Sequence, residues 1–237
     1  MSDETAIKDS NRTEKTFSDI PFEILAKVVE KLDFKSQTKL QRVSRDLKKI
    51  VDRSKPPIDG ILYHIKDNIK VTFFCTNTYL HLSVQYTGYN KERVFNDLAI
   101  LLNNPRLRLK RFRWVNESST PELDQKLIDL MNSLDRKLEV SSLQLDSQLN
   151  EDLHIAVLQT VKPKTLETMQ FHFPNQLINI DRLFHLDQWK KAKIVYLKDI
   201  KLDFSRAFHH FHQFKFIVVR AEAISIDDML NMRKASF

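Results

Sequence analysis

The stretch RLRLKRFRW, residues 106–114, contains a pattern of alternating apolar residues that indicates the fold of this chain. Leu107 and Leu109 alternate with basic residues, and after a slip of one position Phe112 and Trp114 do the same. A strand with this pattern has one apolar and one basic face, with a bulge or turn where the phase slips. The stretch therefore predicts a half-buried strand with the frame apolar-x-x-apolar-x-apolar over 109–114.

The same frame returns four times toward the C-terminus, with an apparent helix before each copy. The helices are predicted at 122–134, 150–160, 179–190 and 204–212, and the copies are Val140/Leu143/Leu145, Leu166/Met169/Phe171, Ala192/Val195/Leu197 and Phe214/Ile217/Val219. Strand-helix units in series bury their apolar faces by stacking on their neighbours, as leucine-rich repeats do. A doubly wound sheet would need longer and more continuously apolar strands.

Upstream of this array the apolar residues recur at every second position. The three runs are Ile61/Tyr63/Ile65, Ile69/Val71/Phe73 and Leu80/Leu82/Val84/Tyr86, separated by turn-like residues at 66–68 and 76–78. This period predicts a three-stranded antiparallel meander. The helix that carries Val94, Phe95 and Leu98 is expected to cover its apolar face.

Residues 17–54 change to helical spacing. We expect two short helices here, the first capped by Ser18 or Asp19 with Pro21 in its first turn, the second capped by Ser36. The sequence Lys55-Pro56-Pro57 then marks a boundary. A helical pair of roughly 35 residues cannot bury its own apolar surface, so its stripe must pack either on this chain or on a partner.

The order and spacing of these N-terminal residues resemble the F-box motif. The match comprises Ile20-Pro21-x-Glu23-Ile24-Leu25, Val28-Val29, Leu32-Asp33-Phe34, Leu40-x-Arg42-Val43-Ser44-Arg45 and Leu47-x-x-Ile50-Val51. It departs from the family at Ser44, where Cys is usual, and lacks the Trp that often follows. Further along, the meander, the strand-helix units and the stretch Gln188-Trp189-Lys190-Lys191-Ala192-Lys193 are similar to the FTH domain of nematode-type F-box proteins.

The resemblance implies an α+β protein that serves as a substrate adaptor of an SCF-type cullin-RING ubiquitin ligase. A small helical F-box at 17–54 would follow a disordered tail at 1–16; antiparallel strands at 55–90 and a leucine-rich-repeat-like FTH domain at 91–237 would follow. Because no capping unit follows the last predicted helix, 225–235, a C-terminal truncation of that domain stays open. The residues implied to bind the small adaptor subunit, and through it the cullin scaffold, are Pro21, Ile24, Leu25, Val28, Val29, Leu32, Leu40, Val43 and Leu47.

The basic residues of the opening stretch are the candidate contacts to an unknown protein substrate. They are Arg108, Lys110, Arg111 and Arg113, read as a basic rim for an acidic target. The alternative is a repeat-type scaffold or an RNA-binding protein without a ligase role. Single-stranded RNA would need exposed aromatic residues for stacking, whereas the frame directs Phe112 and Trp114 inward, so nucleic acid is disfavoured.

The composition argues against several other classes of protein. Gly60 and Gly88 are the only glycines, too few for phosphate-cradling loops, dinucleotide-binding turns or a serine nucleophile elbow. The histidines at 209–212 lack further metal ligands at fitting spacing, and the single cysteine, Cys75, suits a reducing compartment. We therefore expect no catalytic site, metal or cofactor, no membrane segment, and a cytoplasmic or nuclear location.

Overall fold

A computed structural model describes residues 19–75, 81–86, 91–118, 121–147, 151–176, 181–200, 208–219, 226–227 and 230. In the described part of the chain, none of the helices combines the length and the apolar character that crossing a bilayer requires. The predicted tail at 1–16 and nearly all of the predicted helix at 225–235 lie outside the described residues.

The described residues form N-terminal helices followed by one mixed α/β sheet structure. The helices are α1 (Phe22–Lys31), α2 (Phe34–Leu40), α3 (Arg45–Arg53), α4 (Lys91–Leu102), α5 (Pro121–Asn132), α6 (Glu151–Thr160), α7 (Asp181–Phe184) and α8 (Asp187–Lys191). The strands are β1 (Ile58–Ile65), β2 (Ile69–Cys75), β3 (His81–Tyr86), β4 (Leu109–Asn116), β5 (Val140–Ser147), β6 (Thr168–Gln176), β7 (Ile194–Ile200) and β8 (Phe216–Val219). Below, α1–α3 are called the helical module and the remaining elements the sheet domain.

The eight strands lie in a single sheet in the order β3-β2-β1-β4-β5-β6-β7-β8. Strands β1 to β3 form the expected antiparallel meander, and β4 to β8 pair in parallel, beginning with β4 beside β1. Each connection between parallel strands must be long enough to return to the starting end of the sheet. Helix α5, helix α6 and the pair α7–α8 lie in the connections from β4 to β7, and the connection from β7 to β8 contains a 3-10 turn at Phe208–His210.

The register aligns the predicted frames across the sheet. Ile61 pairs with Phe112, and the same row continues through Leu143, Met169 and Val195. All five side chains are buried, and the first residue of each frame, ahead of the phase slip, is buried as well. One continuous core therefore runs under the sheet, and α4 to α8 cover it on that side.

The helical module departs from the prediction, because it has three helices instead of two. Asp33, not Ser36, caps α2, accepting a hydrogen bond from the Ser36 backbone N–H at 2.8 Å. Ser44 then caps a separate helix, α3, and its Oγ accepts from the Leu47 N–H at 3.1 Å. Pro21, not Asp19, occupies the N-cap position of α1, and the other predicted cap, Ser18, lies outside the described residues. The Ser44 cap thus divides the second predicted helix, whose apolar spacing alone is continuous.

Two helices predicted in the sheet domain also differ. The segment 179–190 forms two short helices, α7 and α8, with its first residues outside the described part. The segment 204–212 contributes a 3-10 turn, Phe208–His210, while residues 204–207 are likewise not described.

Candidate functional site

The apolar stripe of α1 divides into a buried and an exposed half. Leu25 and Val29 are buried against Ile50 and Val51 of α3, and together these residues form a small core of the helical module. Leu40 and Leu47 pack on the same cluster from the side. The module therefore has an interior of its own, which the length of the segment alone did not predict.

The other half of the stripe lies open to solvent. Ile24 is 48% exposed and Val28 is 50% exposed, and Pro21 lies on the same side of α1. At 100° per residue Ile20, Pro21, Ile24 and Val28 fall within one arc of the helix. Val43, in the turn before α3, is 70% exposed. We call Ile20, Pro21, Ile24, Val28 and Val43 the exposed apolar arc.

The nine residues implied to bind the adaptor are therefore in three environments. Pro21, Ile24, Val28 and Val43 are exposed, Leu32, Leu40 and Leu47 are half-buried, and Leu25 and Val29 are buried within the module. Sequence spacing cannot tell the exposed residues from the buried ones. An apolar stripe that packs partly on the module's core and partly on a partner has the same helical period as a stripe that packs on the core alone.

The helical module is joined to the sheet domain through a small set of polar and aromatic contacts. The Asn104 side chain, buried after α4, donates to the Asp52 carbonyl at 2.8 Å and to the Ser54 carbonyl at 3.0 Å. The ring of Phe34 lies 4.9 Å from that of Phe73, and Arg106 pairs with Glu30 of α1. None of these contacts involves the exposed apolar arc, which remains accessible while the module is docked.

Two of the four candidate substrate-binding residues are engaged in ion pairs of the chain itself. Arg108 pairs with Glu139, and Lys110 Nζ lies 2.9 Å from Asp59 Oδ2. Glu139 also accepts from Lys162 Nζ at 2.6 Å, and this hydrogen bond, with the nearby arginine charges, holds the pKa of Glu139 below its usual value. Arg108 and Lys110 therefore already neutralise carboxylates of this chain, and a ligand would have to compete with Glu139 and Asp59 for them.

The other two candidates, Arg111 and Arg113, lie on one face of β4. Arg111 and Arg113 alternate with the buried Phe112 and Trp114, so they lie on the face that α4 to α8 do not cover. We call this side of the sheet the uncovered face. Arg113 forms no ion pair with the residues that the structure describes, and Arg111 Cζ lies 4.7 Å from the ring centroid of Phe74.

The aromatic residues of the opening stretch are structural. Phe112 and Trp114 are fully buried, and the Trp114 Nε1–H donates to Asp124 Oδ1 at 2.9 Å inside the core. They are not accessible to a nucleobase, which removes the feature on which the RNA-binding alternative rested.

The histidine stretch and the cysteine have structural surroundings. Burial, and next the charge of His209, lowers the pKa of His210, whose ring stacks on Phe184 at 4.0 Å. Among the described residues no group of three or more potential metal ligands converges. Burial, with the nearby carboxylates Asp33 and Asp59, raises the pKa of the Cys75 thiol, which disfavours the nucleophilic thiolate.

Comparison with known protein families locates two domains on this chain. A model of the F-box domain matches residues 17–59, and a model of the FTH domain matches residues 122–236. This chain is an F-box protein with a C-terminal FTH domain. No curated protein and no solved structure is significantly similar to it.

In this F-box protein the matched F-box includes all three helices of the module and the start of β1. The FTH match begins within α5 and takes in β5 to β8, whereas β1 to β4 lie wholly ahead of it. The sheet is therefore continuous across the boundary of the FTH match, since β4 and β5 pair along their length. Proteins with these two domains are generally adaptors rather than enzymes.

Sequence reasoning did not single out the neutral residues of the uncovered face. Ser142, Gln144, Thr168 and Gln170 each alternate with a buried frame residue and are half-buried. Their only sequence signal is that alternation, which identifies a solvated face but not the order in which strands bring the residues together.

Proposed function

We propose that this F-box protein is a substrate-recognition adaptor of an SCF-type cullin-RING ubiquitin ligase. The F-box would bind the small adaptor subunit of the ligase, which links it to the cullin scaffold, and the sheet domain would hold a protein target. In this function the chain would work in the cytoplasm or the nucleus. The exposed apolar arc is the observation that carries the proposal.

The packing of the F-box supports this function because the arc has no role in the protein's own described fold. Leu25 and Val29 already supply the module's core, and Asn104 and Phe34 supply its junction with the sheet domain. Exposed branched side chains clustered on a helix lower solubility unless a partner covers them. An apolar groove that receives α1 would bury them by helix-in-groove recognition.

We further propose that the sheet domain is a leucine-rich-repeat-like array. The support is the frame repeated in β4 to β8, whose strands pair in parallel and whose middle positions form continuous rows. Such an array would present its strand side to a target while the F-box is held at one end.

The test is calorimetric binding of the purified adaptor subunit to the whole chain and to Ile24→Asp/Val28→Asp. Each side chain is about half exposed, so completing its burial would be worth roughly 1 kcal/mol, and burying a carboxylate in its place would cost more. We expect the double variant to bind at least about a hundredfold more weakly. Leu25 is left intact, because its replacement would damage the F-box core instead of testing its surface.

Ile100→Asp is the matched control. Ile100 lies on α4 of the sheet domain and is 56% exposed, so its replacement makes the same chemical change away from the arc. It should bind the adaptor as the unaltered chain does, and circular dichroism should be unchanged in both variants. Failure of the unaltered chain to bind, or full binding by the double variant, would refute the assignment.

A further inference from the structure

The uncovered face of the sheet is divided into chemically distinct zones. Two aligned rows of outward residues cross it near the amino ends of the parallel strands, and a third row beyond them is Lys70, His64, Val115, Asp146, His172 and Lys198. The first row is Phe74, Gly60, Arg111, Ser142, Thr168, Ile194 and Phe216, and the second row is Thr72, Leu62, Arg113, Gln144, Gln170, Tyr196 and Val218. Among the described positions of these first two rows, Arg111 and Arg113 are the only charged residues, and both stand on β4.

The zone beside the arginines is neutral and polar. Ser142 and Gln144 of β5 and Thr168 and Gln170 of β6 form its floor, and all four are half-buried. Their hydroxyl and amide groups can donate to and accept from a peptide backbone. These neutral groups can form hydrogen bonds with a ligand but do not discriminate between positively and negatively charged ligands.

The far zone is apolar and aromatic. Ile194 and Tyr196 of β7 lie beside Phe216 and Val218 of β8, and the rings of Tyr196 and Phe216 are 6.1 Å apart. Phe216 is 52% exposed. Large apolar side chains grouped on an otherwise polar face form an anchoring site for a bulky side chain of a partner.

Arg111 and Arg113 form the cationic zone of this face, and Arg111 contacts the ring of Phe74 on β2, a cross-strand arrangement that positions it. Gly60 lies between Phe74 on β2 and Arg111 on β4, and a Cβ atom at this position would come within 3.0 Å of Phe74 Cδ2. The absence of a side chain at Gly60 lets the Phe74 ring lie over β1 and contact the Arg111 guanidinium at 4.7 Å. The ring limits the freedom of this cation, so less entropy is lost when it binds an anion.

We propose that the uncovered face binds an extended acidic segment of the target protein, with Asp or Glu side chains on Arg111 and Arg113 and a bulky apolar side chain on the β7–β8 zone. Charge complementarity decides the class of partner, since the only charges of the two rows are two adjacent cations. Within these two rows only β4 carries positive charge, whereas a single-stranded nucleic acid lying along them would place phosphates over the whole span. This inference rests on the proposed function, in which the sheet domain holds the target.

The strand spacing sets the length of the segment. From β4 to β7 there are three strand intervals of about 4.8 Å, or about 14 Å in all. An extended peptide advances about 3.3–3.6 Å per residue, so about four residues separate the carboxylates from the apolar anchor.

The test is an array of random heptapeptides probed with the whole chain, followed by affinity measurements on the strongest peptide. We expect selected peptides to carry acidic residues about four positions from a large apolar residue. The variant Arg111→Ser/Arg113→Ser should bind that peptide at least about tenfold more weakly. Replacing Asp and Glu of the peptide by Asn and Gln should lower the affinity of the unaltered chain by a similar factor. Arg93→Ser/Arg182→Ser, on the helix side, removes the same charge and should change little.

The cross-strand arrangement has its own test on the same peptide. Phe74→Leu keeps an apolar side chain but removes the ring, and we expect affinity to fall about two- to fivefold. Gly60→Ala should give a similar loss by displacing the ring, because Gly60 lies on β1, outside the span from β4 to β7 that the segment would occupy.

The outcomes separate this inference from the proposed function. Adaptor binding with no peptide selected, or with selection that survives the arginine substitutions, would overturn the inference and leave the ligase role intact. Selection of phosphorylated peptides alone would overturn the choice of carboxylates, and tighter, salt-sensitive binding of single-stranded RNA would overturn the choice of a peptide. Peptide selection without adaptor binding would overturn the proposed function on which the inference rests.

Discussion

Replacement of Asn104 by alanine should measure how firmly the F-box is attached to the sheet domain. Its Nδ2 donates to the carbonyls of Asp52 and Ser54, and its Oδ1 accepts from the Arg106 N–H at 2.9 Å. The side chain is buried, so water cannot fully replace these bonds. At about 1 kcal/mol net for each of three hydrogen bonds, Asn104→Ala should lower the free energy of unfolding by about 3 kcal/mol.

The assay is urea unfolding followed by tryptophan fluorescence and by far-ultraviolet circular dichroism. Both tryptophans, Trp114 and Trp189, are buried in the sheet domain, so fluorescence reports on that domain, whereas circular dichroism also reports on α1 to α3. The matched control is Asn103→Ala, because Asn103 Oδ1 accepts one long bond, 3.3 Å, from the Asp135 N–H. This control should cost less than about 1 kcal/mol.

Asn104→Asp tests the same hydrogen bonds through a change of charge. The carboxylate keeps an acceptor for the Arg106 N–H but turns an oxygen toward two carbonyl oxygens. Its pKa should therefore be raised in the folded chain, so the variant should be least stable at neutral pH and recover relative to the parent as the pH falls through that pKa. Equal stability of Asn104→Ala and Asn103→Ala would refute the reasoning.

Three further predictions concern the sheet domain. The pKa of Glu139 in the folded chain is lowered from 4.5, chiefly by the hydrogen bond from Lys162. The contribution of Glu139 to folded stability is therefore fully present above pH 4.5 and is lost as the pH falls through the lower pKa of the folded chain. Glu139→Gln should reduce the fall of the urea midpoint with decreasing pH in this range. Because burial lowers the pKa of His210 from 6.5, folded stability should fall as the pH drops below 6.5, and His210→Gln should reduce that slope in the same titration. Asp124→Ala should cost about 2–4 kcal/mol in urea unfolding by leaving the Trp114 indole N–H without its acceptor, whereas Asp124→Asn, which keeps an acceptor oxygen, should cost less; equal losses would contradict this role.

The strands were the most predictable part of the fold. Ile61 and Tyr63 alternate with more polar neighbours, and the frames at Phe112 and Leu143 repeat one spacing, because a side chain's position in a strand depends on its parity alone. The helix ends were less predictable. Ser44 caps α3, which apolar periodicity did not separate from α2, and Asp33 caps α2 in place of the predicted Ser36. A cap is a local hydrogen bond and leaves no trace in that periodicity.

The candidate sites were predicted as residue types but not as arrangements. The basic stretch was visible, yet Arg108 and Lys110 form ion pairs with Glu139 and Asp59, from elsewhere in the chain. Long-range partners of this kind depend on strand order, and sequence spacing does not encode that order without the fold.

The sequence by itself determined the F-box motif, the meander, the repeated frame and the inward positions of Phe112 and Trp114. The meander, the frame and the inward positions follow from a period of two residues within a short segment, whereas the F-box was identified by its resemblance to a known motif. Only the tertiary structure decided that Leu25 turns inward while Ile24 stays exposed, and that Phe74 reaches Arg111 across Gly60. Those arrangements join residues distant along the chain, and packing creates them when the core and the strand register form together.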